Sequence, residues 1–481
     1  MPSPEAATGS TPALPKALGL RDVTLFFITA GVNFQWVATA AVAGPLALTG
    51  WFIGLLLMSL PLAVCVVDLS SRYPDEGGLY VWTKKAFGDF PAFLMGWTYW
   101  MSNLPYFPGL LYFAAGNALA IAGARFRHLD GSPLYYILFS TAGLALGTWM
   151  NLVGLKVGRR LSNAGAYARW VGGLALIAAG VLAFMRHGSA NEFNAVTLAP
   201  SFAMKDLLFW STIAFALTGL ESASFMGDEI KDARRTVPRA LFLAMPTIVL
   251  LYVLGSLAIV VTLPQGEATG LQGIVDAAGA MQARLAIPGL APMIAIAVVV
   301  ASLGSVGAWL GAVARIPFVA GLDRYLPSAF ARIHPRWGTP HVSLLVQAGV
   351  TMIFVLLGQA GTTVKGAYDV LIGMMVLIYM IPFLFLYPAA ARLQFTAPDA
   401  GAPSWFRFRG ARWVVAAAGV VGFLTTCAAV VLSCIPAADE PNKPLAVLKI
   451  VGGTALIVAC GVAVFRARRH KATPAPAAPR A

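Results

Sequence analysis

Twelve apolar stretches, each close to the length a helix needs to cross a bilayer, follow one another through almost the whole chain. About 20 apolar residues cover the hydrocarbon core as a helix, and only helices or closed barrels can satisfy their own backbones there. The stretches are too long and too continuous for the alternating strands of a barrel. Hydrophobic residues make up 58% of the sequence and charged ones 11%, against about a quarter charged in a soluble domain. An all-α polytopic membrane protein is therefore expected, with helices over 22–47, 49–70, 88–121, 133–153, 162–184, 206–229, 239–263, 289–314, 341–358, 367–390, 412–434 and 445–465. The third exceeds a simple span and is expected to tilt or protrude. Residues 264–288, interrupted by Pro264 and several glycines, read as an external loop with a short surface helix.

Charge sets the orientation. Of 34 lysines and arginines, 25 fall in the N-terminal leader, every second loop and the C-terminal tail. Eight fall on the other side, and Arg169 lies inside a helix. This asymmetry places both termini in the cytoplasm. It also accounts for the net charge of +14, because basic loops face anionic headgroups, so no nucleic-acid partner is expected. The leader, 1–21, lacks an apolar core, so no cleavable signal peptide is expected.

Cys65, Cys427, Cys434 and Cys460 all sit in predicted helices without metal or redox spacing and read as packing residues. Phosphate-loop, zinc-protease and serine-nucleophile motifs do not occur. No enzyme activity, cofactor or metal is expected. The five histidines all lie away from helix centres, which argues against a histidine proton relay.

Four segments carry more information. The second helix leaves the membrane through Asp68-Leu69-Ser70-Ser71-Arg72-Tyr73-Pro74-Asp75-Glu76-Gly77-Gly78. The sixth contains Thr218-Gly219-Leu220-Glu221-Ser222-Ala223-Ser224, then Gly227-Asp228-Glu229. The eighth contains Ser302-Leu303-Gly304-Ser305-Val306-Gly307-Ala308-Trp309, followed by Asp323-Arg324-Tyr325-Leu326-Pro327 and His334-Pro335-Arg336-Trp337-Gly338-Thr339-Pro340. In this order the segments resemble the amino acid–polyamine–organocation superfamily of secondary transporters over residues 15–470. They look most like its bacterial arginine/agmatine antiporters. The resemblance implies two inverted five-helix repeats, 22–184 and 206–390, then helices 11 and 12 (412–465) and a basic tail (466–481). It also implies a bacterial inner (plasma) membrane, and breaks in helices 1 and 6 where the substrate sits.

A broken helix offers amide N–H groups to an anion and carbonyls to a cation. In helix 6, Gly219 is suited to the unusual dihedrals of a break, with Thr218 and Ser222 placed to satisfy freed backbone groups. In helix 1 the resemblance places the break near Asn33-Phe34-Gln35, where the family carries Gly-Ser-Gly. Gly31 and the two amides can support unwinding there, but backbone capture of a carboxylate is weakened.

Glu221, a carboxylate in an apolar span, costs about 2–3 kcal/mol even on lenient scales and is expected to couple or gate. A structural link to a neighbouring helix is the alternative. Arg169 falls where relatives carry a lysine whose ammonium replaces a coupling sodium ion; the alternative is snorkelling to the cytoplasmic interface. On helix 3, Tyr99, Asn103 and Tyr106 make one polar–aromatic stripe, and on helix 8 so do Ser302, Ser305 and Trp309. By resemblance Trp309 stacks on the substrate and Phe215 forms an aromatic gate; both faces suit a cation. The candidate binding set is Gly31, Asn33, Phe34, Gln35, Asn103, Tyr106, Phe215, Thr218, Gly219, Ser305 and Trp309. The loop acids Asp75 and Glu76 are expected to pair with Arg72 or Lys84. The implied function is alternating-access transport of an amino acid, proton-coupled or exchange-driven, or else of a polyamine or other organic amine.

Overall fold

The computed structural model describes residues 18–74, 77–153, 155–200, 203–222, 224, 230–314, 316, 325–332, 334–396 and 411–469. The helices are α1 (Leu20–Gly31), α2 (Phe34–Ala41), α3 (Leu46–Arg72), α4 (Gly78–Phe87), α5 (Asp89–Ala122), α6 (Pro133–Val153), α7 (Leu155–His187) and α8 (Met204–Ala216). They continue as α9 (Ala233–Val260), α10 (Gly273–Leu285), α11 (Leu290–Val313), α12 (His341–Gln359), α13 (Val364–Thr396), α14 (Ala411–Ser433) and α15 (Lys443–Arg468). No strand forms among the described residues beyond an isolated bridge between Leu18 and Ile230. Ten of these helices are long and apolar enough to span a membrane. The remainder include the interrupted pair α1–α2 and the short α8.

Large apolar side chains face outward as well as into the core, and several polar ones are buried. Phe52, Trp149, Phe242 and Leu424 point outward, while Gln347, Asn117 and Glu221 are fully buried. Lipid is the environment in which this costs least, since a polar group facing hydrocarbon has no partner. The third predicted span is a single 34-residue helix, α5. At about 1.5 Å per residue it is far longer than the hydrocarbon thickness.

Glycine permits a close helix approach. A Cβ built on Gly165 of α7 would lie 2.7 Å from the Cα of Gly304 on α11. Only two hydrogens permit such backbone proximity, the small-residue packing common in membrane helices.

Residues 264–288 carry one short helix, α10, with Asp276, Ala283 and the flanking residues 264–267 and 286–288 exposed. In α10, Ile274, Ala277, Ala278, Met281 and Leu285 are buried, because its apolar face packs into the bundle. Among the described residues, two ion pairs lie in the 68–89 segment. Arg72 pairs with Asp68 at 3.0 Å and donates to Gln394, all three buried between α3 and α13. Lys84 pairs with Asp89 at 2.9 Å. Asp75 and Glu76 lie outside the described residues.

Candidate functional site

The first break needs no glycine at its turning point. α1 stops at Gly31, and Asn33 is extended (φ −137°, ψ 134°), a conformation any residue adopts. Asn33 then caps α2: its Oδ1 accepts the Gln35 N–H at 3.2 Å, the usual role of an N-cap amide. Its Nδ2 donates to the Tyr106 hydroxyl at 3.0 Å. The orphaned backbone groups go to Tyr252 on α9, whose hydroxyl donates to the Gly31 carbonyl and accepts the Asn33 N–H at 3.2 Å. Tyr252 is held by stacking on Trp51, centroids 4.4 Å apart and planes 6° from parallel. Gly31 serves packing: a Cβ there would stand 2.7 Å from Ile248.

Gln35 is fully buried, and neither amide atom has a partner in hydrogen-bond geometry among the described residues. Its Nε2 lies near Gly109, and the Tyr368 hydroxyl is a close neighbour. A buried amide left this way is costly, so it is the polar group of the first break best placed to meet a ligand. Phe34 points elsewhere, against Gly172 and Gly173 of α7, beside Arg169 in a small cavity of about 40 Å³.

The second break follows α8. Gly219 has φ +94° with open space where a Cβ would be, a left-handed conformation that favours glycine. The neighbouring hydroxyls cap the loose carbonyls. Thr218 donates to Phe215 O and Ser222 to Gly219 O, each at 2.6 Å, and Ser59 of α3 donates to Leu217 O at 3.0 Å. Residues 223 and 225–229 lie outside the described residues.

Glu221 is fully buried and tied on both oxygens. Oε2 accepts the Gly219 N–H at 3.0 Å; Oε1 accepts the hydroxyls of Tyr379 at 2.6 Å and Tyr99 at 3.2 Å. Charge-assisted bonds of this kind are the strong ones. The carboxylate thus links the unwound segment to α5 and α13 at once.

Aromatic rings connect the two breaks. Phe215 sits edge-on between Trp36 of α2, at 5.0 Å, and Tyr379 of α13, at 4.9 Å. The α5 stripe serves both ends: Tyr106 reaches the first break and Tyr99 the second. Asn103 is buried between them and donates to Tyr99 O at 2.8 Å. Arg169 donates to the Ser305 hydroxyl, so its guanidinium turns into the bundle and not toward the basic loop. The Gly165–Gly304 contact lies one turn from Arg169 on α7 and next to Ser305 on α11, and brings these two side chains within reach. Trp309, one turn past Ser305, is partly buried and has no ring partner among the described residues.

The structure therefore joins Gly31, Asn33, Gln35, Tyr106, Phe215, Thr218, Gly219 and Glu221 around the two breaks. Arg169 and Ser305 form a second group and Phe34 lies beside them, while Trp309 stands apart. Tyr252, Tyr379, Trp36 and Trp51 were not anticipated. Tyr252 and Tyr379 each interrupt an apolar run, and a hydroxyl buried there must find a partner; that was the available signal.

A model of a family described as amino acid permease matches residues 18–457. The chain is 25% identical over 451 residues to an uncharacterized transporter of Legionella pneumophila, covering 92% of this chain and 95% of the relative. It is 22% identical to a probable agmatine/putrescine antiporter of Lactococcus lactis, covering 89% and 92%. It is 24% identical to the human Asc-type amino acid transporter 1, covering 66% and 60%.

Proposed function

The chain belongs to the amino acid permease family, and from that membership we propose a secondary active transporter that moves an amino acid by alternating access, driven by protons or by exchange. The observation that carries this reading is the meeting of the two broken helices through the Trp36–Phe215 ring contact. A substrate lodged there can bias both breaks at once, as alternating access requires. Gly31, Asn33, Gln35, Asn103, Tyr106, Thr218, Gly219, Ser305 and Trp309 are proposed to bind it, with Phe215 as gate. Phe34 lies at the edge of this set. Glu221 and Arg169 are the proposed coupling and gating groups.

The wider architecture is read in the same way. Two inverted repeats, 22–184 and 206–390, each open on an interrupted helix, and each closes on a 33-residue helix, α7 and α13. With five crossings in each repeat, the interrupted segment included, α14 and α15 make twelve. Lysine and arginine asymmetry puts both termini in the cytoplasm of a bacterial inner membrane.

A second reading, transport of a polyamine or other organic amine, is favoured by the Asn33 cap. Its side chain occupies the Gln35 N–H that would otherwise face a substrate carboxylate. The similar Lactococcus lactis protein, named an agmatine/putrescine antiporter, points the same way.

A thermal-shift screen of amino acids and amines on purified protein tests both, since a ligand that binds the folded form stabilises it. Hits are then tried for exchange and for pH-gradient-driven uptake in proteoliposomes. Stabilisation by an amine but by no amino acid selects the second reading. The absence of both exchange and pH-gradient-driven uptake, for every stabilising ligand, would sink the transport mechanism.

A further inference from the structure

At the end of the bundle away from the basic loops lies a cavity of about 460 Å³. It is walled by the starts of α8 and α13, the 265–270 segment and the α14–α15 connection. Asp206, Asp369 and Glu440 line it from three separate elements, together with Lys365. Most of this charge is already spoken for. Lys365 pairs with Asp439 and stands 3.9 Å from Asp369. Glu440 accepts from the Thr362 hydroxyl at 2.8 Å.

Asp206 is different. It is nine-tenths buried, with 9% exposure, and its carboxylate makes no hydrogen bond or ion pair with any described residue. As the third residue of α8 it lies at the helix N-terminus, and the access left to its side chain is to the cavity it lines. A carboxylate facing a confined cavity with no side-chain partner attracts a positive visitor. Among the described residues, no three histidine, cysteine, aspartate or glutamate side chains are grouped to hold a metal ion. Acids spread around a cavity of this size suit a small organic cation instead.

We propose that this cavity is an entry subsite for a primary ammonium group, as on a diamine or a cationic amino acid, with Asp206 as its anchor. Lys365, itself a primary ammonium, is a tethered competitor for the same acids. The cavity floor leads inward: Thr39 lines it and donates to the Gln35 carbonyl at 2.8 Å, one turn from the first break. The subsite rests on the transport reading for its purpose, although its binding can be measured separately.

Putrescine is the probe, titrated calorimetrically into the full-length protein in nanodiscs, with alanine as a zwitterionic comparison. Asp206→Asn is expected to weaken putrescine about three- to tenfold, and Lys365→Gln to tighten it. Alanine should change less in both. Asp206→Glu should recover part of the loss. Unchanged putrescine affinity in a folded Asp206→Asn, or no putrescine binding by the parent, overturns the proposal. If Asp206→Asn does not fold, unchanged affinity in Lys365→Gln overturns it equally. Proteoliposome uptake separates the two ideas. Weakened binding in Asp206→Asn, with no uptake of any amine or amino acid by the parent, keeps the subsite and removes the transport reading. Uptake by the parent with unaltered binding in the variant does the reverse.

Discussion

Gly165 and Gly304 face each other across α7 and α11 so closely that a methyl on either would meet backbone: 2.7 Å from Gly304 Cα in one direction, 2.6 Å from Gly165 Cα in the other. One turn further on, Arg169 reaches Ser305. The register of a small-residue contact thereby places a charged side chain inside the bundle. Gly165→Ala should cost about 1–3 kcal/mol through backbone displacement, read as a lowered melting temperature and lost transport. Gly349→Ala, in α12 where a Cβ meets open space, should leave both unchanged.

Tyr252→Phe removes one hydroxyl that serves two backbone groups of the first break, while the stack on Trp51 survives. A loss of about 1–3 kcal/mol is expected for the groups left unsatisfied, together with weaker ligand binding. Thermal unfolding with and without ligand measures both. Parent-like values would mean that the break is held by Asn33 alone.

Glu221→Gln keeps shape but loses charge and one acceptor, against three donors. Transport should fall by at least about tenfold, equivalent to roughly 1.4 kcal/mol, with folding retained. Tyr379→Phe should fall less, and the double variant should be less than additive because the groups share one bond. Full additivity would separate their roles.

Arg169 keeps its charge across the working pH range, and is proposed to stand where sodium binds in relatives. Replacing external sodium by choline should leave uptake unchanged. Strict sodium dependence at fixed pH would remove Arg169 from that role.

Trp309→Ala should weaken a cationic ligand by about 0.5–2 kcal/mol, a several-fold to about thirty-fold rise in Kd. Phe215→Ala should slow turnover more than it weakens binding, since a gate acts on occlusion. Equilibrium binding and exchange rates on both variants distinguish the cases. Unaltered affinity in Trp309→Ala would place the substrate away from that ring.

Local chemistry made much of this protein legible in the sequence alone. The apolar spans and the sided lysines and arginines follow from the thickness and charge of a bilayer, so they need no knowledge of neighbours. The Gly219 break and the roles of Thr218 and Ser222 were readable for the same reason: each acts on backbone within three residues of itself. The motifs around Glu221 and Ser305 pointed to a family, and the match over residues 18–457 agrees.

Tertiary structure decided what depends on partners far along the chain. Gly31 and the two amides were read as able to support the first break, but its backbone groups are satisfied by Tyr252, some two hundred residues away, whose hydroxyl in an apolar run signals a need for a partner without saying which. Glu221 was conspicuous, and a tyrosine hydroxyl in a span signals that it needs a partner, but nothing local says that Tyr379 and Tyr99 meet on this carboxylate. Within 264–288 packing likewise decided which face of the short helix α10 is buried. Sequence specifies which groups require satisfaction in lipid; only the fold determines which distant group supplies it.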